Sequence, residues 1–208
     1  MSETRQWNRR DMLGGIALLA LAVGVPAGVV SLTGLPADDA PTDRQRAMIA
    51  AVSQHVLPRT GTPGAGDVGV GDFVILALAH GLDGTRAPAA SAGTPQLARF
   101  NRPDGSLRFL DWLEDALDQR GRSDWPARGG PEQARALAAL DAEAFADGND
   151  KHPWRAIKSL ILTGYYTSHV GGARELRYVL DPGRYDPDLP LPPHLPALSS
   201  DWSAVDFG

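Results

Sequence analysis

The stretch PWRAIKSLILTGYYTS, residues 153–168, carries an apolar side chain at every third or fourth position. Pro153 stands where the first turn of a helix tolerates proline, and Gly171 and Gly172 end the pattern. Apolar residues at this spacing share one face of an α-helix and pack against a core. We therefore predict a helix whose buried stripe consists of Trp154, Ile157, Leu160, Ile161 and Tyr165.

Four upstream segments show helical periodicity as well. The first begins at the capping pair Thr42–Asp43, and its buried stripe includes Met48 and Val52. The second is apolar nearly all round, so we expect it to lie near the centre of the domain. The fourth has an apolar stripe that ends in Ala144 and Phe145. These segments are residues 42–57, Phe73–Leu82, residues 109–120 and residues 131–145.

The pattern as a whole predicts an all-α protein. No alternating apolar and polar run, no hairpin dipeptide and no internal repeat indicates a sheet. After Tyr185 the prolines should prevent regular structure. We predict a compact helical domain of about five helices with long loops, followed by a Pro-rich extended tail. The predicted segments are 1–37 as a leader and linker, 38–186 as the helical domain and 187–208 as the tail.

Composition excludes several classes of protein. The 208 residues are 43% hydrophobic and 22% charged, which is typical of one globular domain. The net charge of -5, without a basic patch beyond the first ten residues, argues against binding nucleic acid. The absence of cysteine excludes a disulfide, a thiolate zinc site, a Cys-ligated iron–sulfur cluster and covalent haem attachment.

The N-terminus resembles a twin-arginine export signal. Arg9 and Arg10 stand before Asp11 and two apolar residues, and no charge follows as far as Val25. The motif usually has Ser or Thr where this chain has Asn8, and Phe where it has Met at position 12. The uncharged stretch is rich in Gly and Ala and only moderately apolar, which is typical of twin-arginine signals. We expect export of a folded protein to the periplasm through the twin-arginine (Tat) translocase.

The fate of this leader is open between two alternatives. The uncharged stretch 12–30 is long enough to serve as a membrane anchor, which would attach the protein to the inner membrane. Small residues at two places, Val25–Pro26–Ala27 and Leu35–Pro36–Ala37, could instead mark cleavage by a signal peptidase. Neither place contains the Ala-x-Ala sequence that typically marks such a cleavage site.

Candidate chemical motifs favour structural interpretations. Residues 64–69 match G-x-G-x-x-G, but no strand precedes them, so we interpret the segment as a surface loop that contacts a partner. Ser168 and His169 are helical neighbours that point about 100° apart and cannot share a proton. The five histidines lie on different segments, and the carboxylates between positions 111 and 118 form a face expected to be solvated. We assign no catalytic, cofactor-binding or metal-binding residue to this chain.

Three groups of residues together resemble the gluconate 2-dehydrogenase subunit 3 family. The first runs through Pro58 to Ala65, the second from Trp154 to Ser168, and the third is Pro182, Gly183 and Tyr185. They occur in this order after the twin-arginine signal, and the resemblance spans residues 42–185. It implies a non-catalytic small subunit of a sugar or polyol dehydrogenase complex.

The resemblance also implies partners. The large subunit would be an FAD-dependent flavoprotein of the glucose-methanol-choline type, and a third subunit is often a c-type cytochrome. FAD is thus expected in the partner and not in this chain. The small subunit would carry the export signal for the folded flavoprotein and act as its chaperone. We place the partner interface, as a hypothesis, at Pro58, Thr62, Pro63, Gly64, Tyr165 and Tyr166.

Two rival functions remain at this stage. A membrane-anchored assembly factor that never joins the final enzyme would keep its leader uncleaved. An independent periplasmic enzyme would require convergent acids, a nucleophile or a metal set.

Overall fold

The computed structural model describes residues 35–36, 39–88, 95–121, 124–178 and 197–199. Residues 1–34 of the predicted leader, with Arg9 and Arg10, lie outside these residues, as do both predicted segment boundaries and most of the tail. Within the described residues there are five α-helices, and they confirm the predicted all-α class. They are α1 Asp43–Val56, α2 Val70–His80, α3 Phe109–Arg120, α4 Gly130–Ala144 and α5 Pro153–Tyr166.

The apolar helix α2 lies at the centre, packed between α1 and α5. Gly69 and Gly81 bound it, both with positive φ of 78° and 77°, a conformation that glycine adopts without strain. Gly164 of α5 faces α2 so closely that an added Cβ would lie 2.6 Å from Cδ1 of Phe73. The missing side chain lets the two helices approach, and most residues of α2 are buried.

Thr42 is the N-cap of α1, as predicted, and it forms a capping box with Gln45. The Thr42 hydroxyl accepts the backbone N–H of Gln45 at 3.1 Å, and the Gln45 side chain accepts that of Thr42 at 3.1 Å. Two orphan donors of the first turn are satisfied in this way.

The acidic face of α3 binds α1, whereas the sequence predicted that it would be solvated. Arg44 of α1 pairs with Glu114, with Asp118 at 2.8 Å and with Asp124 at 3.3 Å. The hydrogen bond that Arg44 donates to Glu114, followed by those it donates to Asp118, raises the pKa of Arg44. The sequence cannot predict this pairing for Glu114 and Asp118, because their positions on α3 carry no information about a cation about 70 residues upstream.

Two of the described tryptophans, Trp125 and Trp154, are fully buried, and the indole N–H of each has a hydrogen-bond acceptor. Trp154 of α5 donates its indole N–H to Asp141 Oδ1 at 2.7 Å. Trp125, on a short 3₁₀ turn before α4, donates to the backbone oxygen of Gln133 at 3.1 Å. A buried indole requires such an acceptor, so each ring is fixed in orientation as well as in depth.

The chain after α5 adds a small extended pairing. A π-helical turn, Gly171–Glu175, leads into strand β1, Leu176–Tyr178, which pairs in parallel with β2, Ala197–Ser199. The expectation that no regular structure follows Tyr185 is therefore wrong at these three residues. Proline prevents helices and interior strands, but residues 197–199 contain none and can form a short backbone ladder. None of the helices described is long and apolar enough to cross a membrane.

Candidate partner-binding site

The loop between α1 and α2, residues 57–69, is organised around Asp67. Its carboxylate accepts the backbone N–H of Gly64 at 2.9 Å and pairs with Arg59 at 2.9 Å. The hydrogen bond from Gly64, followed by that from Arg59, lowers the pKa of Asp67. Asp67 is therefore ionised at neutral pH and holds both ends of the exposed part of the loop.

Gln54 of α1 binds the same loop through its side-chain amide. Its side-chain oxygen accepts the N–H of Gly66 at 2.9 Å and that of Asp67 at 3.3 Å. A Cβ on Gly64 would lie 2.6 Å from the Gln54 amide and 2.7 Å from the Leu57 carbonyl. Gly64 and Gly66 of the G-x-G-x-x-G stretch thus permit close packing against α1. The N–H groups of all three glycines, Gly64, Gly66 and Gly69, already have acceptors within the domain.

A tyrosine of α5 fixes the other side of the loop. Tyr165 is only 3% exposed and donates its hydroxyl to the Pro63 carbonyl at 3.0 Å. The Thr62 hydroxyl lies 3.4 Å from the Tyr165 oxygen and donates to the Glu175 carboxylate. We call these contacts of Thr62, Pro63, Tyr165 and Glu175 the loop tie. It joins the α1–α2 loop, α5 and the π-helical turn into one structure.

The structure divides the six predicted interface residues into two groups. Thr62, Pro63 and Tyr165 meet in the loop tie, although more than 100 residues separate Tyr165 from the other two. Tyr165 and Gly64 are buried, so they shape the loop from inside, and their part in a partner interface stays a prediction. Pro58 and Tyr166 are exposed. Residues 59–61, which complete the loop tip with Pro58, are exposed as well.

Tyr166 differs from its neighbour in both position and electrostatics. It is 37% exposed, and its ring meets that of Tyr165 edge to face at a centroid distance of 5.3 Å. Partial burial, then the nearby Glu175 and Tyr165, raise the pKa of Tyr166. The side chain is a neutral phenol that presents an apolar ring and one hydroxyl to the outside.

Two further exposed apolar side chains were not identified from the sequence. Leu162 is 36% exposed and precedes Tyr166 by one helical turn, so the two lie on one face of α5. The prediction that Phe145 belongs to the buried stripe of α4 is wrong: it follows the last helical residue and is 50% exposed. The cations of Arg155 and Lys158 lie over its ring at 4.5 and 4.7 Å. The i, i+4 spacing of Leu162 and Tyr166 could have indicated a shared apolar face of α5, whereas nothing in the sequence indicates that Phe145 is exposed.

Two of the histidines that the structure describes, His55 and His152, have structural partners within the domain. His55 Nε2 lies 3.0 Å from Oε1 of Gln133, and His152 Nδ1 accepts the backbone N–H of Trp154 at 3.3 Å as the N-cap of α5. Burial, opposed by nearby Glu143, lowers the pKa of His152. Over the described part of the chain, no three histidine or carboxylate side chains are arranged to hold a metal ion.

Comparison with known proteins gives one match. The family model described as gluconate 2-dehydrogenase subunit 3 matches residues 43–183, from the start of α1 to beyond β1. Neither a search of curated proteins nor a search of solved structures gives a match. The matched range is well over half of the 208 residues and includes both sides of the loop tie. The chain belongs to the gluconate 2-dehydrogenase subunit 3 family.

Proposed function

We propose that this chain is the non-catalytic small subunit of a periplasmic, FAD-dependent sugar or polyol dehydrogenase complex. The observation that carries the proposal is the family match over residues 43–183. In this proposal the large subunit is a flavoprotein of the glucose-methanol-choline type that holds the FAD and performs the oxidation. A c-type cytochrome is an optional third subunit.

The export role follows from the chemistry of the proposed partner. A flavoprotein folds around its cofactor in the cytoplasm and then needs a route for folded proteins. Arg9 and Arg10 of this chain provide the signal for that route, so the flavoprotein crosses the membrane bound to the small subunit. Binding before export also gives the small subunit its role in folding and assembly.

The geometry of the α1–α2 loop supports a binding role for this surface. The loop is held by Gln54 and Asp67 from one side and by Tyr165 from the other, so it is ordered before a partner arrives. Preorganisation reduces the entropy lost on binding. The exposed tip at residues 58–61 and the Leu162–Tyr166 face are the contacts that we propose for the large subunit.

The first experiment tests export and composition together. A C-terminally tagged chain is purified from periplasm and membranes of the native host, and the visible spectrum and co-purifying bands are recorded. We expect a larger band with flavin absorbance, and loss of both proteins from the periplasm when Arg9 and Arg10 are replaced by Lys. A colourless protein that arrives alone would contradict the proposal. A flavoprotein that requires this chain but never co-purifies with it would indicate an assembly factor.

The second experiment tests the contact surface. Tyr166→Ala should lower the yield of the complex, because it removes an exposed ring from the proposed interface while leaving Tyr165 and the loop tie in place. Phe145→Ala is the matched control, since Phe145 is also an exposed aromatic residue but lies beside the first turn of α5. Equal yields for the two variants would exclude the Tyr166 face from the interface.

A further inference from the structure

The sequence contains three Asp-Gly pairs, Asp83–Gly84, Asp104–Gly105 and Asp147–Gly148. In this dipeptide the backbone nitrogen of glycine can attack the carboxyl group of the preceding aspartate, because glycine has no side chain to hinder the approach. All three pairs lie outside the α-helices, in parts of the chain that the structure describes. Their hydrogen bonds therefore show which of them is free to react in the folded protein.

The Asp104–Gly105 pair is held at both reacting groups. Asp104 Oδ1 accepts the backbone N–H of Ser106 at 2.9 Å and its hydroxyl at 2.6 Å. The Gly105 N–H donates to the Arg102 carbonyl at 2.9 Å. The hydrogen bond from the Ser106 hydroxyl, followed by that from its N–H, lowers the pKa of Asp104. The carboxyl group thus stays ionised, which is the form that a nucleophile attacks poorly.

The Asp83–Gly84 pair is held through its backbone. The Gly84 N–H donates to the Gly81 carbonyl at 3.2 Å and belongs to the 3₁₀ turn Leu82–Gly84. The peptide that joins Asp83 to Gly84 cannot rotate toward the Asp83 carboxyl group without breaking that hydrogen bond. The fold therefore protects this pair as well.

The Asp147–Gly148 pair has neither restraint. Both residues are exposed in the connection between α4 and α5. Within the described part of the chain, the Asp147 side chain has no hydrogen-bond or ion-pair partner and the Gly148 N–H has no acceptor. The turn around them is closed by the Asn149 N–H, which donates to the Ala146 carbonyl at 3.2 Å. The peptide between Asp147 and Gly148 can rotate while that hydrogen bond stays intact.

We infer that Asp147–Gly148 is a modification site at which the folded protein converts aspartate to isoaspartate without an enzyme. The Gly148 nitrogen forms a bond to the side-chain carboxyl carbon of Asp147, and the carboxyl hydroxyl leaves with the N–H proton as water. The product is a five-membered cyclic imide. Water then breaks one of its two C–N bonds. Breaking the original peptide bond leaves a main chain that runs through the former side chain, which is isoaspartate, whereas breaking the new bond restores aspartate.

The modification would change a connection that is anchored on both sides. The Asn149 side chain donates to the Glu143 carbonyl of α4 at 2.7 Å, and the Asn149 carbonyl accepts the N–H of His152, the N-cap of α5, at 3.0 Å. Isoaspartate adds one carbon atom to the main chain between Ala146 and Asn149. The hydrogen bond that joins these two residues should then be lost, so the Asn149 amide should exchange its hydrogen faster in the modified protein.

The test compares the three pairs in one sample of the full chain and depends neither on export nor on a partner. Purified protein is kept at physiological temperature for several weeks and then digested. Electron-transfer mass spectrometry, which distinguishes isoaspartate from aspartate, measures the modified fraction at each pair. We expect isoaspartate to form at Asp147 at least tenfold faster than at Asp83 or Asp104. In denaturant the protecting hydrogen bonds are absent, so the three rates should become similar.

Two variants at the same position control the chemistry. Asp147→Glu keeps the charge, but its longer side chain would have to close a six-membered ring, so modification at this position should fall at least tenfold. Asp147→Asn forms the same five-membered imide with ammonia as the leaving group and should form isoaspartate faster than the unaltered chain. Position 147 is exposed, so neither change disturbs the core, and circular dichroism verifies that both variants are folded.

Three results would overturn the inference. The first is isoaspartate at Asp147 that forms no faster than at either other pair in the folded protein. The second is the same ratio of the three rates in folded and denatured protein, which would show that neighbouring residues and not the fold set the rates. The third is undiminished modification in Asp147→Glu. Failure of the export proposal appears separately, as an unchanged location when Arg9 and Arg10 are replaced by Lys.

Discussion

Replacing Tyr165 by Phe removes one atom from the loop tie and leaves the rest of the site in place. The Tyr165 hydroxyl donates to the Pro63 carbonyl at 3.0 Å, and Phe keeps the ring that packs in the core and against Tyr166. The contact between Thr62 and Glu175 is retained, because it does not use the phenol. The change therefore isolates the contacts of one hydroxyl with the α1–α2 loop, the hydrogen bond to Pro63 and the longer contact with Thr62.

The expected magnitude follows from the burial of that hydrogen bond. A hydrogen bond of this kind contributes about 1 kcal/mol net, and a partly buried carbonyl left without its donor raises the loss toward about 2 kcal/mol. For a domain of this size that corresponds to a fall in Tm of about 3–6 °C. The α1–α2 loop should also open more often, because the Tyr165 hydroxyl hydrogen-bonds the loop to α5 through the Pro63 carbonyl.

Thermal unfolding followed by circular dichroism measures the first effect, and amide hydrogen exchange measures the second. The amides to follow are those of Ala65, which donates to Leu57 at 2.9 Å, and Gly66, which donates to Gln54. Tyr166→Phe is the matched control: it makes the same change on the adjacent, 37% exposed residue and should alter stability by less than about 0.5 kcal/mol. Equal losses in the two variants, or unchanged exchange at Ala65 and Gly66 in Tyr165→Phe, would refute the reasoning.

Three further variants test packing and pH dependence. Gly164→Ala should lower the unfolding free energy by about 1–3 kcal/mol in a denaturant titration, because its Cβ would lie 2.6 Å from Phe73; no loss would show that α5 moves freely. Gly130→Ala meets nothing within 4 Å and should instead raise stability by about 0.4–1 kcal/mol. Burial lowers the pKa of His152 in the folded protein. Its contribution to the free energy of unfolding is therefore complete above the pKa of the unfolded chain, about 6.5, and is lost as the pH falls through the lower pKa of the folded protein. His152→Asn keeps a cap for the Trp154 N–H but cannot be protonated, so Tm should fall less between pH 7 and 5; an identical fall would show that another group causes it.

Local sequence information was sufficient for the helices and for the family. Helical periodicity, the Thr42 cap and the prolines at helix starts predicted five helices because each signal lies within a few residues of the element that it describes. The Trp154–Ser168 stretch is likewise a continuous motif. The family match over residues 43–183 agrees with the resemblance that these residues carried.

Which residues at the ends of helices and turns are buried could be decided only from the tertiary structure. Phe145 and Trp125 both lie at helix or turn ends, yet Phe145 is 50% exposed and Trp125 is fully buried. Periodicity applies inside a helix and says nothing about residues at its ends, whose environment depends on how neighbouring elements pack. The adjacent Tyr165 and Tyr166 show the same effect, since only the orientation of α5 against α2 assigns one to the core and the other to the surface.

The all-α class, the order of the helices and the family could all be predicted from the sequence. The tertiary structure decided which side chains meet: Arg44 with the carboxylates of α3, Tyr165 with Pro63, and Asp39 with Arg86 and Arg102. The reason is physical. Helix formation depends on residues three or four positions apart, whereas these contacts join residues 47 to 102 positions apart, and only packing of the whole core brings them together.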